Sequence, residues 1–172
     1  MIGVGFVQTM ARYNHWQNNN LLGAADVLDE TELRRDRGAF FGSISGTFHH
    51  LLWGDRIWMS RFDGWDPPEA GIPESPGLSG DWASYWASYR VAREKADAGI
   101  IAWADGLTDA DLNGDVVWYS NGLQAEFERP KWLCVQGLFN HQTHHRGQVH
   151  AMLTAAGATP GDTDLFLMPE GM

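Results

Sequence analysis

Five of the seven histidines fall in two short stretches, His49-His50 and His141 to His145, while His15 and His150 stand apart. Cys134, Leu138, His141, His145, Gln148 and Met152 step by four, three, four, three and four, the spacing of a single helical seam. Three consecutive positions of that seam are polar where packing asks for Leu or Val. Buried polar groups need partners. Two imidazoles one turn apart on one face can chelate a metal ion. The same pair also fits a packing role, and His144 competes, since positions 141 and 144 share a face. A two-histidine chelate needs further ligands, and no acid lies near it in sequence. They must come from another helix, where His50 is the obvious donor. His49 is rotated about 100° away and reads as a rim or helix-packing residue. Three histidines leave a position open to solvent, the arrangement of a catalytic rather than a structural zinc site. His15 and His150 read as surface or satisfied core residues.

Two other chemistries are disfavoured. His141-Gln142-Thr143-His144-His145 has zinc-peptidase spacing, but the general-base Glu is replaced by Gln142, which cannot accept a proton at neutral pH. Cys134, the only cysteine, lies two turns from His141, about 10.5 Å along the axis. It reads as an inert core thiol.

Four helices must position these residues. The first runs from about Val4 to Leu33, with a seam at Val7, Met10, Asn14, Gln17, Leu21, Ala24 and Leu28. The second, about Gly42 to Phe62, repeats it at Ile44, Phe48, Leu51, Asp55, Trp58 and Phe62. The third opens on the N-cap Asp81 and runs to about Asp105. The fourth opens near Pro130 and stops at Gly157. Between the second and third, Asp63 to Gly80 is too rich in Pro and Gly to be helical for long. Fully extended it reaches roughly 55–60 Å, against about 30 Å for a 20-residue helix. Helices two and three are therefore free to lie parallel. Asp115 to Arg129 reads as a β-hairpin, with Val116 to Tyr119 favouring strand and Asn121-Gly122 favouring a turn. Ala158 to Met172 reads as a loop-like tail over the bundle.

The 172 residues fit one domain, 1–172, and 44% hydrophobic against 20% charged residues makes it globular rather than disordered. A formal net charge of -10 argues against nucleic acid as a partner. One cysteine excludes an intrachain disulfide and a Cys-rich zinc site. No apolar run approaches the roughly 20 residues of a membrane span, and Met1 to Arg12 does not resemble a signal peptide. The expected location is cytoplasmic, with no membrane association.

Phe139-Asn140-His141-Gln142-Thr143-His144-His145-Arg146-Gly147-Gln148 resembles the signature of the DinB-like (DinB/YfiT) proteins. His50-Leu51-Leu52-Trp53-Gly54-Asp55-Arg56-Ile57-Trp58 is similar to that family's second-helix motif, and Tyr13-Asn14-His15-Trp16-Gln17-Asn18 with Leu21-Leu22 to its first. The resemblance covers Arg12 to Gly157 in order. It implies an all-α, four-helix bundle of up-down-down-up topology with a long helix 2–3 crossover, often a homodimer. It also implies a metal held by His50, His141 and His145. Some relatives are thiol-dependent transferases using glutathione, bacillithiol or mycothiol, and one is a mycothiol-dependent maleylpyruvate isomerase.

Two functions follow as expectations. The first is a metal-dependent thiol S-transferase or hydrolase, in which a divalent ion lowers the pKa of a water or thiol that attacks a small electrophile. Zinc or nickel stands ahead of iron or copper, since three imidazoles suit all four. Candidate catalytic residues are Arg146 (binding a carboxylate of the thiol, or making a surface or interface salt bridge), Gln148 (bonding solvent on the metal, or bridging helices) and Asp55 (orienting Arg56 or a ligand imidazole, or pairing across helices). Asn14 and Gln17 would line the pocket. The second is a non-catalytic metal-binding or dimeric interaction protein. Trp53, Trp58, Trp82 and Trp86 are too many for one small core, so some would serve an interface.

Overall fold

The computed structural model describes residues 1–68 and 81–171. Helix α1 spans Val4–Ala25, α2 Glu30–Arg34, α3 Ile44–Phe62, α4 Trp82–Gly106 and α5 Lys131–Ala155, with strands β1 (Asp115–Ser120) and β2 (Ala125–Pro130) between the last two helices. The four long helices form the bundle, and their contacts fix its directions. Arg12 meets Asp105, Asn18 meets Asp97 and Asp26 meets Arg90, so α1 and α4 are antiparallel. Phe48 meets Tyr89, Asp55 meets Arg93 and Phe62 meets Trp103, so α3 and α4 are parallel. Phe6 meets Phe139 and Tyr13 meets Arg146, so α1 and α5 are parallel. The order is up-down-down-up, as the resemblance implies. Of the crossover, residues 69–80 lie outside the described residues.

Helix ends follow side-chain chemistry. Ser43 caps α3 by accepting from the Gly46 N–H at 3.0 Å, and Asp81 caps α4 by accepting from Ala83 and Ser84. At the end of α5, Gly157 takes φ +87°. The Ala158 N–H bonds back to the Leu153 carbonyl and that of Gly157 to Thr154, closing the helix in a Schellman turn.

Two sequence expectations need correction. The first helix does not continue to Leu33. It ends at Ala25, and Asp29 starts the separate α2 by accepting from the Glu32 N–H at 2.9 Å. Leu33 is still buried, so the apolar seam continues across a backbone break. The hairpin is present, with Trp118 opposite Phe127 and Ser120 opposite Ala125. Its connection is longer than a two-residue Asn-Gly turn, however, and Gln124 rather than Asn121 or Gly122 takes a positive φ, 50°.

The tail crosses α1, where Tyr13 Oη donates to the Thr163 carbonyl at 2.7 Å and Gln17 Nε2 to that of Asp162 at 2.8 Å. Trp53, Trp58, Trp82 and Trp86 each stack on a ring of the same chain. Trp82 lies on Trp86, Trp86 on Tyr89, Trp58 on Phe62 and Trp53 on His50. No helix among the described residues is long and apolar enough to cross a membrane.

The core has two apolar halves. One gathers Leu21, Phe48, Leu51, Val149 and Leu153, the other Val7, Met59, Ile100, Leu138 and Phe139. At the level between them every long helix turns a polar side chain inward: Asn14 and Asn18, Asp55, Arg93 and Asp97, Gln142 and Arg146. The histidine cluster lies at the α3–α5 edge of this belt.

Candidate metal centre

His50 comes from the middle of α3, His141 and His145 from successive turns of α5. His50 and His145 are buried and His141 half-buried, and one nitrogen from each lies within 4.8 Å of the others. The Nε2 atoms of His50 and His141 are 2.9 Å apart. Gly54 allows this approach, because a Cβ there would stand 3.3 Å from His141 Cε1 and Gln142 Nε2. Gln142, fully buried, clamps the same helices by donating to the Leu51 carbonyl at 3.0 Å. The residue standing where a peptidase has its general base is therefore a structural cross-link.

Gln148 orients the third ring. His145 Nδ1 donates to Gln148 Oε1 at 2.8 Å, while Gln148 Nε2 faces His144 Nε2 at 3.3 Å. With Nδ1 carrying the proton, the Nε2 lone pair of His145 is free for a ligand. Phe41, just before α3, stacks on His50 at 3.7 Å between centroids and meets His145 edge-on at 5.2 Å. Trp53 stacks on His50 at 5.9 Å.

Burial, then the neighbouring His141 and His145, pushes His50 down to about 3. Burial, then His145 and His144, pushes His141 down to about 4. Burial also lowers His145, against the opposing pull of the Gln148 bond. All three are neutral imidazoles at physiological pH, the state that binds metal. Tetrahedral ligands at Zn–N bonds of about 2.0–2.1 Å stand roughly 3.3 Å apart. The spacings here, from 2.9 Å up to 4.8 Å, bracket that value. The donor set fits a divalent ion of borderline softness, so these histidines could hold one.

Other residues singled out from the sequence lie elsewhere. Asp55 is buried against Arg93 Nη1 at 2.6 Å and contacts neither Arg56 nor an imidazole. Burial pushes its carboxyl up to about 6 despite Arg93. Arg146 is buried, not a surface residue. Its Nη2 donates to Thr143 Oγ1 at 3.3 Å, its guanidinium lies over Tyr13, and burial lowers it to about 10. Asn14 is buried with neither amide atom bonded among the described residues, and Gln17 holds the tail. His144 is exposed, and His49 stacks on Tyr85 at 5.2 Å. His15 Nδ1 lies 3.6 Å from Asp97 Oδ2. Burial pushes the Cys134 thiol up, as suits an unreactive core cysteine.

Sequence reasoning missed Phe41, which carries no helical periodicity to place it, and the Arg93–Asp97 pair at 2.7 Å. The i,i+4 spacing of that pair was visible, but such pairs ordinarily sit in solvent.

The sequence model described as "DinB family" matches residues 4–171. No curated protein matches the chain. Among solved structures, a DinB-like protein from Bacillus cereus ATCC 10987 superposes with a TM-score of 0.62 at 18% identity, over 86% of this chain and 91% of that one. At that identity the likeness speaks for the fold alone. Nearly the whole sequence fits the family, the bundle has the same fold as a DinB-like crystal structure, and the three motif histidines converge: the chain belongs to the DinB family.

Proposed function

We propose that this protein is a divalent-metal-dependent enzyme that directs a small thiol or water at a small electrophile, most simply as a thiol S-transferase. The observation that carries this reading is the convergence of three neutral imidazoles from two helices, with no carboxylate in the group. A divalent ion there supplies Lewis acidity, lowering the pKa of a thiol or water that reaches it. His50, His141 and His145 would hold the ion, and three neutral ligands would leave its charge undiminished. Gln148 fixes the His145 ring, Gln142 fixes the spacing of the two helices, and Phe41 and Trp53 shield His50 from solvent. Zinc or nickel is favoured over iron or copper, and the same chemistry would serve a hydrolase.

The test is a transfer assay of metal-loaded protein. Glutathione, bacillithiol and mycothiol are each offered with 1-chloro-2,4-dinitrobenzene, beside a His145→Ala variant. Thiol-dependent turnover lost in the variant supports the reading. Metal retention without turnover of any thiol, or of ester substrates, favours the second reading, a non-catalytic metal-binding protein. A homodimer belongs to both readings. The exposed rings of Phe40 and Phe166 support it, and light scattering tests it.

A further inference from the structure

Helix α5 carries a second polar surface, turned towards α1 rather than α3. A cavity of about 310 Å³ lies there between α1, α5 and the tail, and its lining includes Tyr13, Gln17, Arg146, Gly147, His150 and Thr163. The polar groups of α1 are already engaged, with Tyr13 and Gln17 donating to tail carbonyls. Arg146 is not. It is only 4% exposed, yet its Nη1 has no hydrogen-bond partner among the described residues, and its Nη2 makes one long bond to Thr143 Oγ1. No carboxylate among the described residues lies within ion-pair distance of it. Asp55 and Asp97, the nearest candidates, both contact Arg93 instead. Among the described residues no carboxylate lines the cavity either.

A buried cation that Asp55 and Asp97 reach only through space, beside a cavity with no carboxylate among its lining residues, favours a further anion. A guanidinium fork matches a carboxylate in plane and spacing. One buried cation suits a monoanion better than a phosphate dianion. The volume is at the small end of ligand pockets, roughly 300–1,000 Å³, and Leu21 offers an apolar wall. We propose that the cavity between α1, α5 and the tail binds a small carboxylate-bearing molecule, with Arg146 as its counter-charge. The proposal does not depend on the metal reading.

The experiment titrates butyrate and benzoate into chelator-treated, metal-free protein and follows binding by NMR. The wild type should bind saturably, and Arg146→Met should bind at least tenfold more weakly. Because losing a buried arginine risks misfolding, Gly147→Leu is the second variant. Gly147 lines the cavity, and a Cβ there meets nothing within 4 Å. The larger residue fits the helix and intrudes on the cavity, so it too should weaken binding at least tenfold. His145→Ala should bind as the wild type does. Absence of saturable binding, unchanged affinity in Gly147→Leu, loss in His145→Ala, or equally tight binding of inorganic phosphate would each overturn the proposal.

Discussion

His50 Nε2 and His141 Nε2 stand 2.9 Å apart although 91 residues separate them. Both are neutral, so in the metal-free chain one ring can donate to the other. A metal ion would replace that bond with two ligand bonds. What keeps the rings convergent is not the rings themselves but Gly54, which lets the helices close, and Gln142, which bonds them together.

Gln148 should matter to metal affinity more than to folding. It is half-buried and its oxygen accepts from His145 Nδ1. Replacing it with Leu removes the bond that sets the ring's tautomer, a change that typically costs about 10–100-fold in metal affinity. Competition with a chromogenic chelator measures this, and the melting temperature of the metal-free variant should stay close to that of the wild type.

Arg93 should matter to folding and not to metal. It is 2% exposed and pairs with two buried carboxylates, Asp55 and Asp97, the second of which also lies 3.6 Å from His15. Arg93→Met strands Asp55 and leaves Asp97 with only His15 and the Asn18 amide, and breaking a buried pair from one side costs about 3–5 kcal/mol. Urea denaturation should show a loss of that order. Arg93→Met with Asp55→Leu and Asp97→Leu should recover much of it, since no buried charge of the triad is then left unpaired.

Much of this architecture is legible from residue pattern. The histidine cluster follows from His141 and His145 occupying one seam and His50 preceding a motif that resembles the family's. Asp81 and Gly157 mark helix ends because capping is local chemistry. The polar belt is not legible in the same way. The inward stripe of α5 includes Val135, Phe139, Gln142, Arg146 and Val149 beside the seam read from sequence, because the helix packs against both α1 and α3. A stripe that wide makes Gln142 and Arg146 look solvent-facing. Arg93 and Asp97 mislead for a related reason, since a charged i,i+4 pair is indistinguishable in sequence from a surface one. The break after Ala25 is hidden because Leu28 and Leu33 prolong the apolar spacing through it.

His15 should make stability depend on pH. The Asp97 carboxylate, 3.6 Å away, outweighs burial and raises its pKa above 6.5 in the folded chain. The folded state therefore holds the proton more tightly than the unfolded state. The contribution is fully present below about pH 6.5 and is lost as pH rises through the raised folded value. The wild type should exceed His15→Gln in stability at about pH 6, and the gap should shrink by about pH 9. Denaturant midpoints at the two pH values decide it. A gap that widens with pH would mean Asp97 does not hold the imidazolium.

The central claim is that His50, His141 and His145 form one metal site, and metal content is its most direct test. Untagged protein is purified, its metal measured by mass spectrometry, and His50→Ala treated identically. The account predicts about one divalent ion per chain in the wild type and none in the variant, whose helical spectrum stays the same. No metal in the wild type even after reconstitution, or an equal content in a folded His50→Ala, would contradict it.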